Sequence, residues 1–482
     1  MNTYIPLRGR SSPELVVDSF AGGGGTSCGL AAAGLSVDIA INHNRRALGM
    51  HRINHPDTRH LCEDVWSVDP KRVCNGRPVG LFWLSPDCTF HSRARGGKPF
   101  RDRRKTHRTR GLAWLAVHWA KQVAPRIIML ENVREFADWG PLDEDGSPDP
   151  MRKGFTFRRF VRMLQNSGYA ADWRLLRACD YGAPTSRERL FMVARRDHEP
   201  IVWPEPTHGP GLIPFRTAGD CIDWSIPCPS IFERERPLVP ATLRRVVRGL
   251  RRHVIETSDP YIVELGPHSS SQSDRRLIGA TLIQTSYGER QGQAPRVPGL
   301  HKPLGTIVAG GSKHALVVAF LTKYYGSHDE ERLRVLTHVE SPTCSNMAHA
   351  SRAEQVRAFL IAYYGTEQQG TLREPLPTIT THDRFALVTV RGEPYLIEDI
   401  GLRLLTPREL FRAQGFPDSY IIDRALIDDE LTGDYRPVPL TRTQQVHMCG
   451  NSVPPSLAQA LATANLIRPA DSLPRFASGN LF

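Results

Sequence analysis

Four side chains carry types and positions suited to covalent chemistry on a polar ring. Cys88 stands in Leu84-Ser85-Pro86-Asp87-Cys88-Thr89-Phe90-His91-Ser92, just after the apolar run Val79 to Leu84. From His91 to Arg110 the chain holds nine Lys or Arg and one acidic residue. Cationic surroundings stabilise a thiolate, whose parent thiol titrates near ~8.5 when free. A lone cysteine is more often structural, but a position at a strand end beside a cationic loop favours a nucleophile. Glu131, in Met129-Leu130-Glu131-Asn132-Val133, also follows an apolar run. A carboxylate there is costly unless paired or functional. Burial would raise its pKa and make it a proton donor near neutral pH, with a structural salt bridge as the plainer alternative. Arg187 and Arg189, in Thr185-Ser186-Arg187-Glu188-Arg189-Leu190-Phe191, point to one side of an extended segment.

These residues need a frame that gathers strand ends. The apolar runs Glu14 to Phe20, Leu35 to Ile41, Val79 to Leu84, Arg126 to Leu130 and Leu190 to Ala194 read as strands. Gly111 to Gln122 and Phe155 to Asn166 read as helices between them. Such β-α-β alternation predicts a mostly parallel sheet covered by helices on both faces, with ligands at the carboxyl ends of the strands. The first run ends in Asp18-Ser19-Phe20-Ala21-Gly22-Gly23-Gly24-Gly25-Thr26, with a helix beginning near Thr26. Glycines let the backbone approach a ligand, and a helix N-terminus binds anionic groups. The F-x-G-x-G pattern differs from the spaced G-x-G-x-x-G of dinucleotide folds. Taken alone the loop could bind a dinucleotide, S-adenosyl-methionine or nothing.

After about Pro204 proline and glycine become frequent and helical patterns rare, apart from the basic stretch Leu243 to Arg252. That stretch reads as a solvated helix face or as a hinge touching phosphates. A weak repeat runs from Leu282 to Val390, marked by Tyr287-Gly288, Tyr325-Gly326 and Tyr364-Gly365. It is scaffold by default and could supply loops that read bases. Gln445 to Leu466 returns to a helical pattern. The net charge of +12 suits a polyanionic partner, with nucleic acid first. Nine scattered cysteines without a C-x-x-C pair argue against a metal site and against a disulfide framework. No run approaches the ~20 apolar residues of a membrane helix, and no signal peptide is evident.

These blocks, in this order, resemble the DNA (cytosine-5)-methyltransferase family. Two further blocks agree, Arg403 to Pro417 (RLLTPRELFRAQGFP) and Gly450-Asn451-Ser452-Val453-Pro454-Pro455. The matches span residues 15 to 457, and the SPDCT loop is most similar to phage and prophage members. The resemblance implies a Rossmann-like S-adenosyl-methionine-dependent fold with an inserted, mostly β or irregular target-recognition domain. The expected division is 1–255 for the catalytic and cofactor-binding domain, 256–439 for recognition with its supporting block, and 440–482 for the return to the catalytic domain. Phe20, Gly22, Gly24, Asn42, Asp64 and Asn451 would bind S-adenosyl-methionine. Cys88 would attack carbon 6 of cytosine, Glu131 would bond nitrogen 3 and the exocyclic amine, and Arg187 and Arg189 would hold the base's carbonyl and the nucleophile loop. The partner would be double-stranded DNA, with no metal and no membrane. A monomer in the cytoplasm of a bacterial or phage-infected cell is expected, and a restriction endonuclease partner is left open.

The chain departs from the family pattern at three places. Pro86-Asp87-Cys88-Thr89 replaces Pro-Pro-Cys-Gln, and an acidic neighbour would raise the thiol pKa. Asn42 and Asn44 occupy the region where an acidic residue usually meets the cofactor ribose. Thr185 stands where glutamine usually precedes the two arginines. Three alternatives were weighed: an RNA cytosine-5 methyltransferase, a DNA-binding protein with a decayed site, and a dinucleotide oxidoreductase. The last fails on glycine spacing. Retained Cys88 and Glu131 oppose the second, and the long stretch between the two sets of blocks favours duplex DNA over RNA.

Overall fold

The computed structural model describes residues 14–89, 91, 103–265, 276–286, 288, 293, 296–323, 355–356, 359–360, 387–428 and 434–467. The chain forms two compact units. One comprises Met1–Arg216, Thr306–Gly311 and Leu410–Phe482; the other comprises Thr217–Gly305 and Ser312–Glu409.

The first unit is built on seven strands: β1 (Leu15–Ser19), β2 (Ile39–Ile41), β3 (Arg59–Leu61), β4 (Val79–Leu84), β5 (Ile127–Asn132), β6 (Ala170–Arg177) and β7 (Glu188–Arg195). Their order is β3-β2-β1-β4-β5-β7-β6. β1 to β5 pair in parallel, whereas β7 runs antiparallel to both β5 and β6. This is the expected Rossmann-like sheet, with a reversed strand inserted near one edge. All six residues of β4 are buried, as a strand covered on both faces requires. Its alternate residues feed two cores: Phe82 and Leu84 join Trp119, Phe136 and Phe160, while Leu81 and Trp83 join Leu30, Leu457 and Leu461. Phe82 stacks on Trp119 with ring centroids 4.3 Å apart.

Helix Phe155–Asn166 has the predicted bounds, since Phe157, Phe160, Val161 and Leu164 fall on one buried face. The predicted strand at Leu35 to Ile41 shortens to β2, and β3 and β6 were not foreseen. β6 is mostly exposed and owes its form to pairing with β7.

The second unit holds an antiparallel sheet of β8 (Tyr261–Leu265), β9 (Arg276–Gln284), β10 (His314–Lys323), β11 (Leu387–Val390) and β12 (Glu393–Leu404), in the order β11-β12-β10-β9-β8. Helix Pro240–Leu250, continued by a π-helical turn Arg251–Ile255, packs Val246, Val247, Leu250 and Val254 into the core beneath this sheet. Residues 217–255 therefore belong with the second unit and not, as expected, with the first. Residues 410–439 belong with the first unit: Asn54 Nδ2 donates to Ile421 O at 2.8 Å, and Arg52 donates to Leu426 O at 2.9 Å. Of the predicted repeat, residues 319–323 lie on β10. Its markers at Tyr287, 325–326 and 364–365 lie outside the described residues.

Candidate active site

The carboxyl ends of β1, β4 and β5 and the start of β7 bring the candidate residues together. Cys88 lies four residues past the end of β4. Glu131 is within β5, one residue before its end, and Phe191 of β7 is its register partner. That register carries Arg189 to the carboxylate, where its Nε lies 3.2 Å from Glu131 Oε1. Both side chains are nearly buried, so the pair sits in a poorly solvated site rather than on a surface.

Arg187 is buried at 3% exposure. Its Nη1 donates to Gly450 O at 3.0 Å and to Ile307 O at 3.2 Å. Its Nε has no partner among the described residues. A fixed cation with an unmatched donor is a centre that can receive negative charge. Burial, together with repulsion from Arg189, pushes the Arg187 guanidinium down to about 9, so it remains charged at neutral pH.

Charge around Cys88 differs from the expectation. The thiol is pushed up, first by burial and then by Glu131, with a smaller contribution from Asp87. Arg189 and Arg187 oppose the rise. Of the cationic run proposed to stabilise the thiolate, residues 92–102 lie outside the described residues, and the cations that act on the sulfur come from the segment leading into β7. Glu131 is itself raised by burial, with Arg189 and Arg187 holding it down. The Glu131 carboxylate thus disfavours ionisation of Cys88. One shared proton suits the site: a thiolate beside a protonated Glu131 carries the same total charge as a thiol beside a carboxylate.

The loop bearing Cys88 is tied at several points. Asn132 Nδ2 donates to Pro86 O at 3.3 Å. Thr89 N donates to Asp87 Oδ1 at 2.7 Å, and Thr89 Oγ1 donates to the same oxygen. His91 N donates to Cys88 O at 2.9 Å. The His91 ring lies edge-on to Phe136 and Trp139 at 5.2 and 5.6 Å. Burial drives that imidazole down to about 3, so it is neutral. Asn132 and His91 were quoted in the sequence blocks without roles, although both abut expected catalytic residues.

Of the expected cofactor residues, Phe20, Gly22 and Gly24 follow β1, Asn42 follows β2 and Asp64 lies just past β3. Phe20 takes a left-handed backbone, φ 62°, at the turn out of β1. A Cβ at Gly22 would meet open space, its nearest neighbour being Phe20 O at 3.8 Å. Gly24 differs: a Cβ there would lie 2.1 Å from the Tyr420 hydroxyl oxygen, so close packing explains that glycine. Asn42 Oδ1 accepts from Asn44 N at 2.8 Å, and Asn44 caps helix Arg45–Asn54. Asp64 accepts from Trp66 N at 3.0 Å and pairs with Arg108. Asn451 caps helix Arg442–Gly450, adjoining the carbonyl that holds Arg187.

Beneath the glycine loop is a buried network that the sequence did not suggest. Ser27 Oγ donates to Asp18 Oδ2 at 2.8 Å, His51 Nε2 lies 2.8 Å from Ser27 Oγ, and His51 Nδ1 lies 2.8 Å from His60 Nε2. Tyr420 donates to Gly23 O at 2.6 Å. Asp18 Oδ1 is unpartnered, and burial pushes this carboxyl up to about 7.

Among the described residues no group of three or more His, Cys, Asp or Glu is placed to hold a metal ion. No described helix is long and apolar enough to cross a membrane.

The sequence model of the family described as C-5 cytosine-specific DNA methylase matches residues 15–211 and 322–466. Type II methyltransferase M.AgeI of Thalassovita gelatinovora is 25% identical over 478 residues, covering 92% of this chain and 97% of that protein. Type II methyltransferase M.AquIA of a Picosynechococcus strain is 26% identical over 231 residues, covering 43% of this chain and 87% of that protein. A solved E. coli structure described as a prophage-encoded DNA modification methyltransferase aligns at 18% identity with a TM-score of 0.38, covering 94% of this chain and 98% of that one.

Proposed function

This chain belongs to the C-5 cytosine-specific DNA methylase family, and from that premise we propose how its own residues transfer a methyl group to carbon 5 of cytosine. The protein is a DNA (cytosine-5)-methyltransferase, with type II methyltransferases of restriction-modification systems among its relatives. The reading of its site rests on one observation above others: Glu131, Arg187 and Arg189 all act by charge on the Cys88 thiol, and Glu131 and Arg187 are buried.

Carbon 5 of cytosine is a weak nucleophile. Addition of the Cys88 thiolate to carbon 6 makes the ring an enamine, and a proton delivered by Glu131 to nitrogen 3 lowers the barrier to that addition. Arg189 orients Glu131 and, with Arg187, faces the negative charge that develops on the base's carbonyl oxygen. Once carbon 5 carries the methyl group, loss of its proton to solvent and expulsion of the Cys88 sulfur restore the aromatic ring and the enzyme. The base must leave the duplex stack for its carbon 6 to meet Cys88.

The cofactor fits the residues present. Open space at Gly22, the amide of Asn42 and the carboxylate of Asp64 make a cradle with hydrogen-bonding groups for an adenosine, and Phe20 and Asn451 would complete it. S-adenosyl-methionine, when bound, supplies an electrophilic methyl. The second unit, with its antiparallel sheet, would read the sequence around the target.

The test is covalent trapping. A long duplex in which every cytosine is 5-fluorocytosine covers any target sequence. Incubation with S-adenosyl-methionine should give a protein–DNA adduct, because fluorine at carbon 5 cannot leave. Cys88→Ala should give none. An adduct that survives Cys88→Ala removes Cys88 from its role, and an adduct formed with fluorinated RNA but not DNA assigns the RNA substrate instead.

A further inference from the structure

Asp87 is an unusual neighbour for a nucleophilic thiol, because its charge opposes ionisation of the sulfur. Its carboxylate is nevertheless engaged in one specific way. Oδ1 accepts from both the backbone N–H and the hydroxyl of Thr89, so the two bonds close over Cys88. This is a side-chain turn of the Asx kind, which fixes backbone that would otherwise be free. On either side the chain is already fixed, by Asn132 at Pro86 O and by His91 at Cys88 O. Between those anchors Asp87 and Thr89 are exposed. The clasp is therefore a further local restraint on the segment that carries the sulfur, made by side chains rather than by backbone alone.

We propose that Asp87 is a positioning residue, whose carboxylate clasps Thr89 and fixes the turn that aims the Cys88 sulfur at carbon 6. The inference rests on Cys88 acting as set out above. The charged groups facing the thiol are Glu131 from β5, Arg187 and Arg189 from the segment entering β7, and Asp87 from the loop itself. Asp87 thus has two separable effects, a conformational one and an electrostatic one, and substitutions divide them. Asp87→Asn keeps an oxygen that can accept both bonds and removes the charge. Asp87→Ala removes both. Thr89→Val removes the hydroxyl arm and leaves the charge.

The experiment measures the rate of adduct formation on the fluorinated duplex, kcat and KM on unmodified DNA, and the pH dependence of each, in wild type and the three variants. Asp87→Ala should lower kcat by about tenfold or more with KM little changed, since misplacing a reacting atom by about 1 Å can cost about 100-fold. Asp87→Asn should recover most of that loss. Both should move the pH profile to lower pH by the same amount, because both remove the same charge. Thr89→Val should show a smaller loss with the pH profile unmoved. Equal kcat in Asp87→Ala and Asp87→Asn would overturn the proposal and leave Asp87 a purely electrostatic neighbour. If wild type itself forms no adduct, it is the function of Cys88 that fails, and the clasp fails with it. Thr89 is exposed and its substitution should leave the fold intact, so a Thr89→Val enzyme with wild-type kcat would count against the clasp even if Asp87→Ala misfolds.

Discussion

Glu131→Gln should make Cys88 more reactive and the enzyme less active, two effects of opposite sign from one substitution. The carboxylate is the largest charge contribution raising the Cys88 thiol, second only to burial. Removing it leaves Arg187 and Arg189 opposed among nearby charges only by the weaker effect of Asp87. A carboxylate beside a thiol disfavours the thiolate, so its removal should raise the thiolate fraction near neutral pH. Iodoacetamide reacts with the thiolate, and alkylation of the Cys88 peptide, followed by mass spectrometry in the absence of DNA, should accelerate to match. Following that peptide separates Cys88 from Cys62, which is exposed. Methyl transfer should move the other way. Glutamine has no proton to give nitrogen 3, and general acid catalysis contributes about 100- to 10,000-fold. It also leaves the buried Arg189 without its ion-pair partner. Alkylation that is unchanged or slower would refute the charge assignment. Methyl transfer at the wild-type rate would refute the proton donor. The pH profile supplies a further check: because the active pair shares one proton, wild-type kcat/KM should be bell-shaped, and Glu131→Gln should lose one limb of the bell.

The buried carboxyl of Asp18 should tie stability to pH. Its folded pKa, about 7, lies above its ordinary value of 3.8, so the folded state holds the proton more tightly. The associated stability is present below pH 3.8 and is lost as pH rises to about 7, by an amount on the order of 4 kcal/mol. His51, lowered by burial, works in the opposite direction in acid. Asp18→Asn should therefore raise Tm relative to wild type at pH 8 and lose that advantage near pH 4; a Tm difference independent of pH would sink the assignment. Gly24→Ala should lower Tm by several degrees, since its Cβ would lie 2.1 Å from the Tyr420 oxygen and φ is +96°. Gly22→Ala, with φ +54° and only Phe20 O within reach of the new Cβ at 3.8 Å, should weaken S-adenosyl-methionine binding in calorimetry more than it lowers Tm. In the second unit, Glu409→Ala strands the buried Arg403, whose Nη2 lies 2.7 Å from Glu409 Oε1. Thermal unfolding should show a loss of about 3–5 kcal/mol, and a loss below about 1 kcal/mol would mean that water replaces the partner.

What the sequence carried was local; what it lacked was the environment supplied by distant chain. Val79–Leu84 was legible because a strand buried on both faces is apolar throughout. Helix Phe155–Asn166 was legible because its buried residues recur at helical spacing. β6 gave no such signal, since a largely exposed edge strand takes its form from its neighbour. The start of the second unit was misplaced for a related reason. The stretch Leu243 to Arg252 reads as a basic surface helix, but its apolar residues are claimed by β9 and β10, which come later in the chain. The same division holds in the site. Cys88 and Glu131 were singled out by type and by position near a strand end, yet the thiol was assigned to the basic residues nearest in sequence. The groups that set its ionisation are Glu131, Arg187 and Arg189, delivered by strand register. Asp87 shows the converse. Its contact with Thr89 spans two residues and was visible in the sequence, but it was read for charge alone. A carboxylate beside a thiol acts through space on ionisation and through hydrogen bonds on conformation, and in this loop the second action depends on a threonine hydroxyl and a backbone N–H in a fixed turn. Residue type therefore identifies the candidates for chemistry here, whereas the direction in which each is tuned follows from the three-dimensional neighbours.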